Sequence, residues 1–172
     1  MSTALHIGIA TDRDFDDLSV AFESTDMAKT VEVYLRYRSE HASGKRTILV
    51  ARFDGRIVGY VTINWRPTYP PFADRGIPEV QDFNVKPDFR RRGFGSQMMD
   101  RAEELISERY STCGIGVGLS SAYGSAQRMY AKRGYIPDGR GLTYKEQPVE
   151  ERTHVRVDDD LVIYMTKCLT QS

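Results

Sequence analysis

Hydrophobic residues recur with two different periods along the first part of the chain. Between residues 5 and 10 they alternate with polar or small residues, which is typical of a half-buried strand. After the capping side chains of residues 11–14, the next apolar residues fall on one helical face: Phe15, Leu18 and Phe22. A second helical stretch over residues 27–40 has apolar residues at similar spacing: Val31, Tyr34 and Leu35. The pattern predicts a strand followed by two amphipathic helices.

Two strand-like runs follow, at residues 47–53 and 56–65. They are separated by Asp54-Gly55, the preferred two-residue type I′ turn, and therefore predict a β-hairpin. The prolines of residues 66–76 oppose a further strand, so this segment is predicted to be an exposed loop. Its aromatic residues, with the tryptophan just before it, are candidates to line a small-molecule pocket: Trp65, Tyr69 and Phe72.

The remainder of the chain alternates short strands with helices. Strands are predicted at residues 77–85, 115–119, 142–147 and 161–167, and helices at residues 93–110 and 125–133. Hairpins combined with strand–helix–strand connections indicate a mixed α/β (α+β) fold around one sheet. The length of 172 residues favours a single domain spanning residues 1–172.

Composition and charge exclude several function classes. Hydrophobic residues make up 40% of the chain, enough for a core, and 24 Lys and Arg balance 24 Asp and Glu. A neutral chain lacks the positive field that holds nucleic acid, so no nucleic-acid partner is expected. Without a basic and apolar leader or a run long enough to cross a bilayer, we expect a cytoplasmic protein with no membrane partner. No ligand spacing indicates a metal, and Cys113 and Cys168 are predicted to be buried free thiols.

The segment from Asn84 to Ser96 has the features of an anion-binding site. It ends a strand, turns through Arg90, Arg91 and Arg92, and opens a helix after two glycines. The first N–H groups of a helix lack intrahelical partners, the helix dipole is positive there, and glycine lets the backbone approach a phosphate. The segment therefore suits a pyrophosphate, and a strand-to-helix turn with solvated arginines is the alternative interpretation.

Two segments together resemble a known family. They are Val85-x-Pro87-x-Phe89-Arg90-x-x-Gly93-x-Gly95 and, downstream, Ala126-x-x-x-Tyr130-x-x-x-Gly134-Tyr135. Both are similar to the hallmark stretches of the GNAT superfamily of acyl-CoA-dependent N-acetyltransferases. The resemblance runs from about Leu5 to Lys167. It implies a mixed, mostly antiparallel sheet of about seven strands flanked by about four helices, in one acyl-CoA N-acyltransferase domain.

The resemblance also implies acetyl-CoA as donor and a set of residues that bind it. Most come from the strand end and the Arg-x-x-Gly-x-Gly stretch, and two from the helix at residues 125–133: Phe83, Asn84, Val85, Arg90, Arg91, Arg92, Gly93, Phe94, Gly95, Ser96, Ser125 and Arg128. Many relatives carry Asn where this chain has Tyr123, so that contact to the cofactor differs here. Three glycines on the next strand either leave room for pantetheine or allow tight packing: Gly114, Gly116 and Gly118.

Acetyl transfer needs a deprotonated amine, and a lysine-like amine has a pKa of about 10.4. Tyr130 resembles the family's general acid, with a core aromatic residue as the alternative. Glu79, eleven positions before Arg90 (90 − 79), is similar in placement to the base of the histone-acetyltransferase branch, and Asp82 is the reserve. Strand alternation puts Glu79 and Asp82 on opposite faces unless a bulge changes the parity.

The sequence thus predicts transfer of an acetyl group to a primary amine of a small molecule or peptide. Acidic residues of the connection 145–160 either attract a cationic amine or form a solvated loop: Glu146, Glu150, Glu151, Asp158, Asp159 and Asp160. A non-catalytic acyl-CoA-binding regulatory protein is the alternative function. The oligomeric state is left open, with a homodimer among the alternatives.

Overall fold

The computed structural model describes residues 4–169, which form eight strands and five α-helices. In chain order they are β1 (Leu5–Ile9), α1 (Asp12–Phe22), α2 (Val31–Ala42), β2 (Arg46–Phe53), β3 (Arg56–Asn64), α3 (Pro70–Ala73), β4 (Glu79–Val85), α4 (Phe94–Ser107), β5 (Thr112–Gly118), α5 (Gly124–Lys132), β6 (Ile136–Tyr144), β7 (Gln147–Pro148) and β8 (Leu161–Cys168). They divide into two compact units. The first unit comprises Met1–Trp65 and Val80–Leu105, and the second comprises Arg66–Glu79 and Ile106–Ser172.

In the first unit the strands lie in the order β1-β2-β3-β4. β1 pairs with β2 and β2 with β3, both antiparallel. The predicted turn between β2 and β3 is confirmed, since Asp54 and Gly55 have φ of 51° and 73°, as a type I′ turn requires. The predicted core face of α1 is also confirmed, because its three apolar residues are buried together with Tyr60: Phe15, Leu18 and Phe22.

The prediction for α2 is wrong in two respects. The helix begins at Val31 rather than near residue 27, and Val31 and Leu35 are 62% and 60% exposed. Tyr34, which was predicted for this face, is buried as expected, and Tyr37 is buried with it. Hydrophobic spacing treats aliphatic and aromatic residues alike when it predicts a buried face. Burial of an aromatic side chain removes more apolar surface from water, so it stabilises the helix more than burial of Val31 or Leu35 would.

In the second unit the strands lie in the order β5-β8-β6-β7, and all three pairings are antiparallel. The pairing of β6 with β8 is interrupted between Pro137 and Leu142, where β6 contains extra residues. With eight strands, mostly antiparallel pairing and five helices, the predicted mixed α/β fold class is confirmed, at slightly higher element counts. No helix within residues 4–169 has the length and apolar character needed to cross a membrane.

The segment 66–76 is not the predicted exposed loop. It contains α3, which has prolines at its first positions, where a missing backbone N–H costs nothing. Tyr69 and Phe72 are 2% and 1% exposed and pack in a core cluster with Tyr164, so they do not line an open pocket. Trp65 is half-buried, and its Nε1 donates to the Thr47 hydroxyl at 2.9 Å.

The cysteine prediction is half wrong. Both thiols are free, but only Cys113 is buried, with the Tyr135 hydroxyl 3.2 Å from its sulfur. Cys168 is exposed because it is the last residue of β8, beyond the packed part of the strand.

Candidate functional site

The C-terminal half of β4 contains a local distortion at Asp82. Its φ is 46°, in the left-handed region that non-glycine residues rarely adopt. Phe83 and Val85 lie against α4, since their side chains approach Gly95. The Asp82 carboxylate forms an ion pair with Lys29 at 2.9 Å. The residue predicted as the reserve base is therefore already paired with a cation.

Asn84 lies near Tyr60, one of two buried tyrosines of the first unit. The hydroxyl oxygens of Tyr34 and Tyr60 are buried and have no hydrogen-bond partner among the described residues. Burial raises the pKa of Tyr60, the neighbouring Tyr34 adds to the effect, and Asn84 acts in the opposite direction. Asn84 therefore lies near the neutral phenol of Tyr60 within the first unit.

Arg90, Arg91 and Arg92 lie exposed in the turn between β4 and α4. The Nε of Arg90 donates to the carbonyl oxygen of Val85 at 3.0 Å, which ties the turn to the end of the strand. The Arg92 guanidinium lies 5.2 Å from the centre of the Phe89 ring. Two contacts thus hold the turn in place while its guanidinium groups remain accessible to solvent.

The turn ends at Gly93, whose backbone conformation suits glycine. Its φ is 77°, and no described atom lies within 4 Å of the position that a Cβ would take. The first described helical bond of this turn runs from the N–H of Gln97 to the carbonyl of Gly93, at 3.1 Å. The N–H groups of Gly93, Phe94 and Gly95 precede that bond, as expected at a helix N-terminus. This open corner has the geometry predicted for an anion-binding turn.

Gly95 has a different role from Gly93. A Cβ there would lie 2.9 Å from Cζ of Phe83, so glycine permits close packing of α4 on β4. The neighbouring Phe94 is buried and its ring centre lies 5.2 Å from that of Phe53. Of the two predicted phosphate glycines, only Gly93 borders open space.

The remaining predicted site residues belong to the second unit. Ser125 and Arg128 lie exposed on α5, whereas Tyr130 on the same helix is 4% exposed. Burial raises the pKa of Tyr130, and Cys113 and Tyr123 add to the rise. The hydroxyl therefore stays protonated through the neutral and alkaline range, which suits a proton donor.

Glu79, the predicted base, is 4% exposed at the start of β4. It lies close enough to Tyr69 and Tyr164 for its charge to raise the pKa of both phenols, to which burial makes the largest contribution. Sequence reasoning missed these two tyrosines as neighbours of Glu79. The alternation of residues 161–167 predicts on which side of the sheet each side chain lies. It does not predict which residues of other elements that side chain contacts.

The three glycines of β5 are explained by packing within the second unit. A Cβ at Gly114 would lie 2.4 Å from Phe72, one at Gly118 would lie 2.5 Å from Tyr123, and one at Gly116 would lie 3.0 Å from Tyr164. The Tyr123 hydroxyl donates to Asp159 at 2.7 Å. Of the two interpretations left open, tight packing is the one that these contacts support, and Tyr123 fills space beside the strand.

Comparison with known proteins found a matching family and similar sequences. Residues 13–135 match the sequence model of the acetyltransferase (GNAT) family. An uncharacterized N-acetyltransferase from Archaeoglobus fulgidus is 34% identical over 92 residues, which cover 52% of this chain and 59% of that protein. The S-(2-succino)cysteine N-acetyltransferase of Bacillus subtilis is 26% identical over 89 residues, covering 50% of this chain and 52% of that protein. The matched regions thus span little more than half the length of these curated relatives.

The fold is also similar to that of a solved structure. A protein from Salmonella typhimurium, whose structure contains its cofactor acetyl-CoA, superposes with a TM-score of 0.67 at 15% identity, over 98% of this chain and 96% of that one. At this identity the likeness concerns the fold. The family match covers well over half of the chain and includes β4, the arginine turn and α5. The chain belongs to the acetyltransferase (GNAT) family.

Proposed function

We propose that this protein transfers the acetyl group of acetyl-CoA to a primary amine of a small molecule or peptide. The observation that carries the proposal is the corner between β4 and α4, where Gly93 at φ 77° borders open space beside three exposed arginines. Helix N-terminal N–H groups and guanidinium groups are the partners that a diphosphate prefers. Membership of the GNAT family supports acetyl-CoA as the donor.

The proposed donor-binding residues belong to the arginine turn, the end of β4 and α5. Arg90 to Arg92 and the N–H groups of Gly93 to Gly95 would hold the diphosphate, and exposed Ser125 and Arg128 would add polar contacts from α5. When bound, acetyl-CoA supplies the acetyl group as a thioester. Phe83, Asn84 and Val85 contribute the adjacent strand, in which Asp82 has a φ of 46°.

The overall reaction converts a protonated amine and a thioester into an N-acetyl amine, a free thiol and one released proton. A carbon–nitrogen bond forms and the carbon–sulfur bond breaks. Glu79 takes the proton that keeps the amine from attacking, and Tyr130 gives a proton to the departing sulfur. The ion pair with Lys29 makes Asp82 the weaker candidate for the base, because its carboxylate is already engaged with a cation.

The proposal is tested by mixing the protein with acetyl-CoA and a panel of primary amines. We expect thiol release that depends on the amine and a mass increase of the amine by one acetyl group. Calorimetry with coenzyme A measures donor binding separately. Binding without transfer to any amine would favour the regulatory alternative, and the absence of binding would contradict the proposal as a whole.

Tyr130→Phe tests the proton donor. Because the variant removes only a buried hydroxyl, we expect a folded protein with turnover at saturating acetyl-CoA reduced about 10²-fold or more. Tyr135→Phe, which removes another buried hydroxyl of the second unit, is the control and should retain turnover. An unchanged rate for Tyr130→Phe would remove this residue from the mechanism.

Glu79→Gln tests the base through the pH dependence of kcat/KM. The native enzyme should show a rise of activity with pH as the base loses its proton, and the variant should lack that limb. The same limb in both proteins would assign the proton transfer to another group, and Asp82→Asn would then be measured in the same way.

A further inference from the structure

A buried group of polar side chains in the first unit connects α2, β2 and β3 to β4. We call it the Arg46 network, and its members are Glu40, Arg46, Thr62 and Gln81. Arg46 begins β2, and its side chain is 7% exposed. Its Nε donates to Glu40 Oε2 at 2.6 Å, and its Nη1 donates to Thr62 Oγ1 at 2.8 Å and to Gln81 Oε1 at 2.9 Å. One guanidinium group therefore bonds to side chains of three other elements.

The ion pair between Arg46 and Glu40 fixes the position of the guanidinium. Burial opposes ionisation of Glu40, but the bond from Arg46 outweighs it, so the pKa of this carboxyl lies below its usual value. The guanidinium carbon also lies 4.8 Å from the ring centre of Tyr37. Breaking such a pair leaves an uncompensated charge in a buried place. Arg46 is therefore held firmly between α2 and β2.

Gln81 is the member of the network that belongs to β4, and it is held through both its side chain and its backbone. Its Oε1 accepts hydrogen bonds from Arg46 and, at 3.4 Å, from Asn64 Nδ2. Its backbone carbonyl accepts a hydrogen bond from the Thr62 hydroxyl at 3.1 Å. That carbonyl belongs to the peptide unit that joins Gln81 to Asp82. Because a peptide unit is planar, the bond from Thr62 fixes the orientation of the whole unit.

The next residue, Asp82, has a left-handed backbone with φ of 46°. The angle φ describes rotation about the bond from its nitrogen to its Cα. The peptide unit on one side of this bond is held by Thr62, and the carboxylate on the other side is held by Lys29 at 2.9 Å. Non-glycine residues keep such angles where the surrounding contacts over-determine them. These two anchors supply that determination.

The conformation of Asp82 sets the direction of the strand that follows it. The side chain of Phe83 lies against Gly95 of α4. The carbonyl of Val85 accepts a hydrogen bond from Arg90 Nε at 3.0 Å. Both contacts connect the end of β4 to the corner where the proposed function places the diphosphate. A rotation of the backbone at residue 82 would therefore displace both contacts.

We infer that Arg46 is a positioning residue for acetyl-CoA, acting through Thr62 and Gln81. It maintains the left-handed backbone at residue 82 and thereby holds residues 83–85 in place beside the arginine turn. This inference rests on the proposed acetyl transfer. Because the Arg46 side chain is buried among the other members of its network, it acts through them and not by contact with the donor.

Calorimetry with coenzyme A tests the inference, because it measures the dissociation constant and the fraction of protein that binds separately. Arg46→Lys keeps the charge, but one ammonium group does not reproduce the three directed bonds of the guanidinium. We expect the Kd of coenzyme A to rise roughly tenfold, since hydrogen bonds that hold β4 are lost. Arg52→Lys is the matched control, because Arg52 binds Asp14 of α1. Its Kd should stay within about twofold of the native value.

Thr62 supplies a second pair of variants that changes no charge. Thr62→Val keeps the shape of the side chain but removes the hydroxyl, and it should raise the Kd as Arg46→Lys does. Thr62→Ser removes a methyl group but keeps the hydroxyl, and it should bind coenzyme A like the native protein. Equal weakening in both Thr62 variants would overturn the inference, since lost packing would then be the cause.

The remaining outcomes separate this inference from the proposed function. An unchanged Kd in Arg46→Lys and Thr62→Val, with only a smaller fraction of binding protein, would overturn the inference and leave acetyl transfer standing. Absence of coenzyme A binding by the native protein would contradict the proposed function. Hydrogen exchange over residues 79–85 then still decides whether Arg46 holds β4. Faster exchange in Arg46→Lys than in Arg52→Lys supports that role, and equal exchange in the two variants overturns it.

Discussion

Asp14 connects the first turn of α1 to strand β2. Its Oδ2 accepts hydrogen bonds from the backbone N–H and the hydroxyl of Thr11, both at 2.7 Å, and its Oδ1 binds the guanidinium of Arg52. Burial of the carboxyl opposes ionisation, but the bonds from Thr11 and Arg52 outweigh it and hold the pKa of Asp14 below its usual value. The ionised side chain therefore stabilises the folded state.

The sign of the pH dependence follows from that shift. Since the folded pKa lies below the unfolded value near 3.8, the stabilisation is complete above the unfolded pKa and is lost as pH falls through the folded one. Asp14→Asn should lower the free energy of unfolding by about 1–2 kcal/mol at neutral pH, measured by urea denaturation. The difference from the native protein should shrink as pH falls below about 4.

Asp12→Asn is the matched control for that experiment. Asp12 lies in the same helical turn, but its side chain is 86% exposed and forms an ion pair with Arg38 at the surface. We expect a change within about 0.5 kcal/mol, because exposed ion pairs contribute little. If the loss of unfolding free energy in Asp14→Asn stayed constant down to pH 3, the charge of Asp14 would not be the source of the stabilisation.

Strand β5 contains three glycines that leave room for neighbouring aromatic side chains. Gly114 faces the ring of Phe72, which is 1% exposed and held between Tyr69 and Tyr164. Because the ring has no space to move into, a methyl group at this position forces strain into the strand or the cluster. The glycines of β5 were associated with a ligand in the sequence analysis. They also allow aromatic side chains of the second unit to pack directly against this strand.

Gly114→Ala should destabilise the protein by about 1–3 kcal/mol, as overpacking of a core does. Gly124→Ala is the control at the first residue of α5, where φ is −56° and no described atom lies within 4 Å of the added Cβ. There we expect no loss, or a gain of up to about 1 kcal/mol. Thermal and urea unfolding of both variants measure the difference, and equal stabilities would contradict the packing explanation of β5.

The whole chain has a formal net charge of +0, and its three consecutive arginines lie in a single turn. A local cluster of this size suits one diphosphate, whereas a nucleic-acid backbone needs many phosphate contacts along an extended basic surface. The arrangement of charge thus favours a small anionic ligand over a polymer.

We therefore expect no saturable binding to a short DNA duplex below about 10 μM protein at physiological salt, measured by fluorescence anisotropy. Coenzyme A should bind under the same conditions. Replacement of Arg90, Arg91 and Arg92 by alanine should weaken coenzyme A binding. DNA binding that disappears in this triple variant would instead assign the arginine turn to nucleic acid.

Much of the molecule could be predicted from the chain because local interactions decide it. The Asp54-Gly55 turn, the buried face of α1 and the Arg-x-x-Gly-x-Gly turn depend on backbone preferences and on residues close in sequence. Family motifs then identified Tyr130, Glu79 and the arginines as candidates. Their catalytic and binding roles stay predictions until the variants above are measured.

Other features depend on contacts between residues far apart in the chain, so no local pattern could reveal them. Burial of Tyr69 against Tyr164, ninety-five positions later (164 − 69), converts a proline-rich segment into part of a core. The same folding brings Asp138 and Glu146 to consecutive residues of that segment. Short-range stereochemistry thus specified the elements and the glycine turn between β4 and α4, whereas long-range packing decided which side chains are buried and which hydroxyls the carboxylates of Asp138 and Glu146 accept hydrogen bonds from.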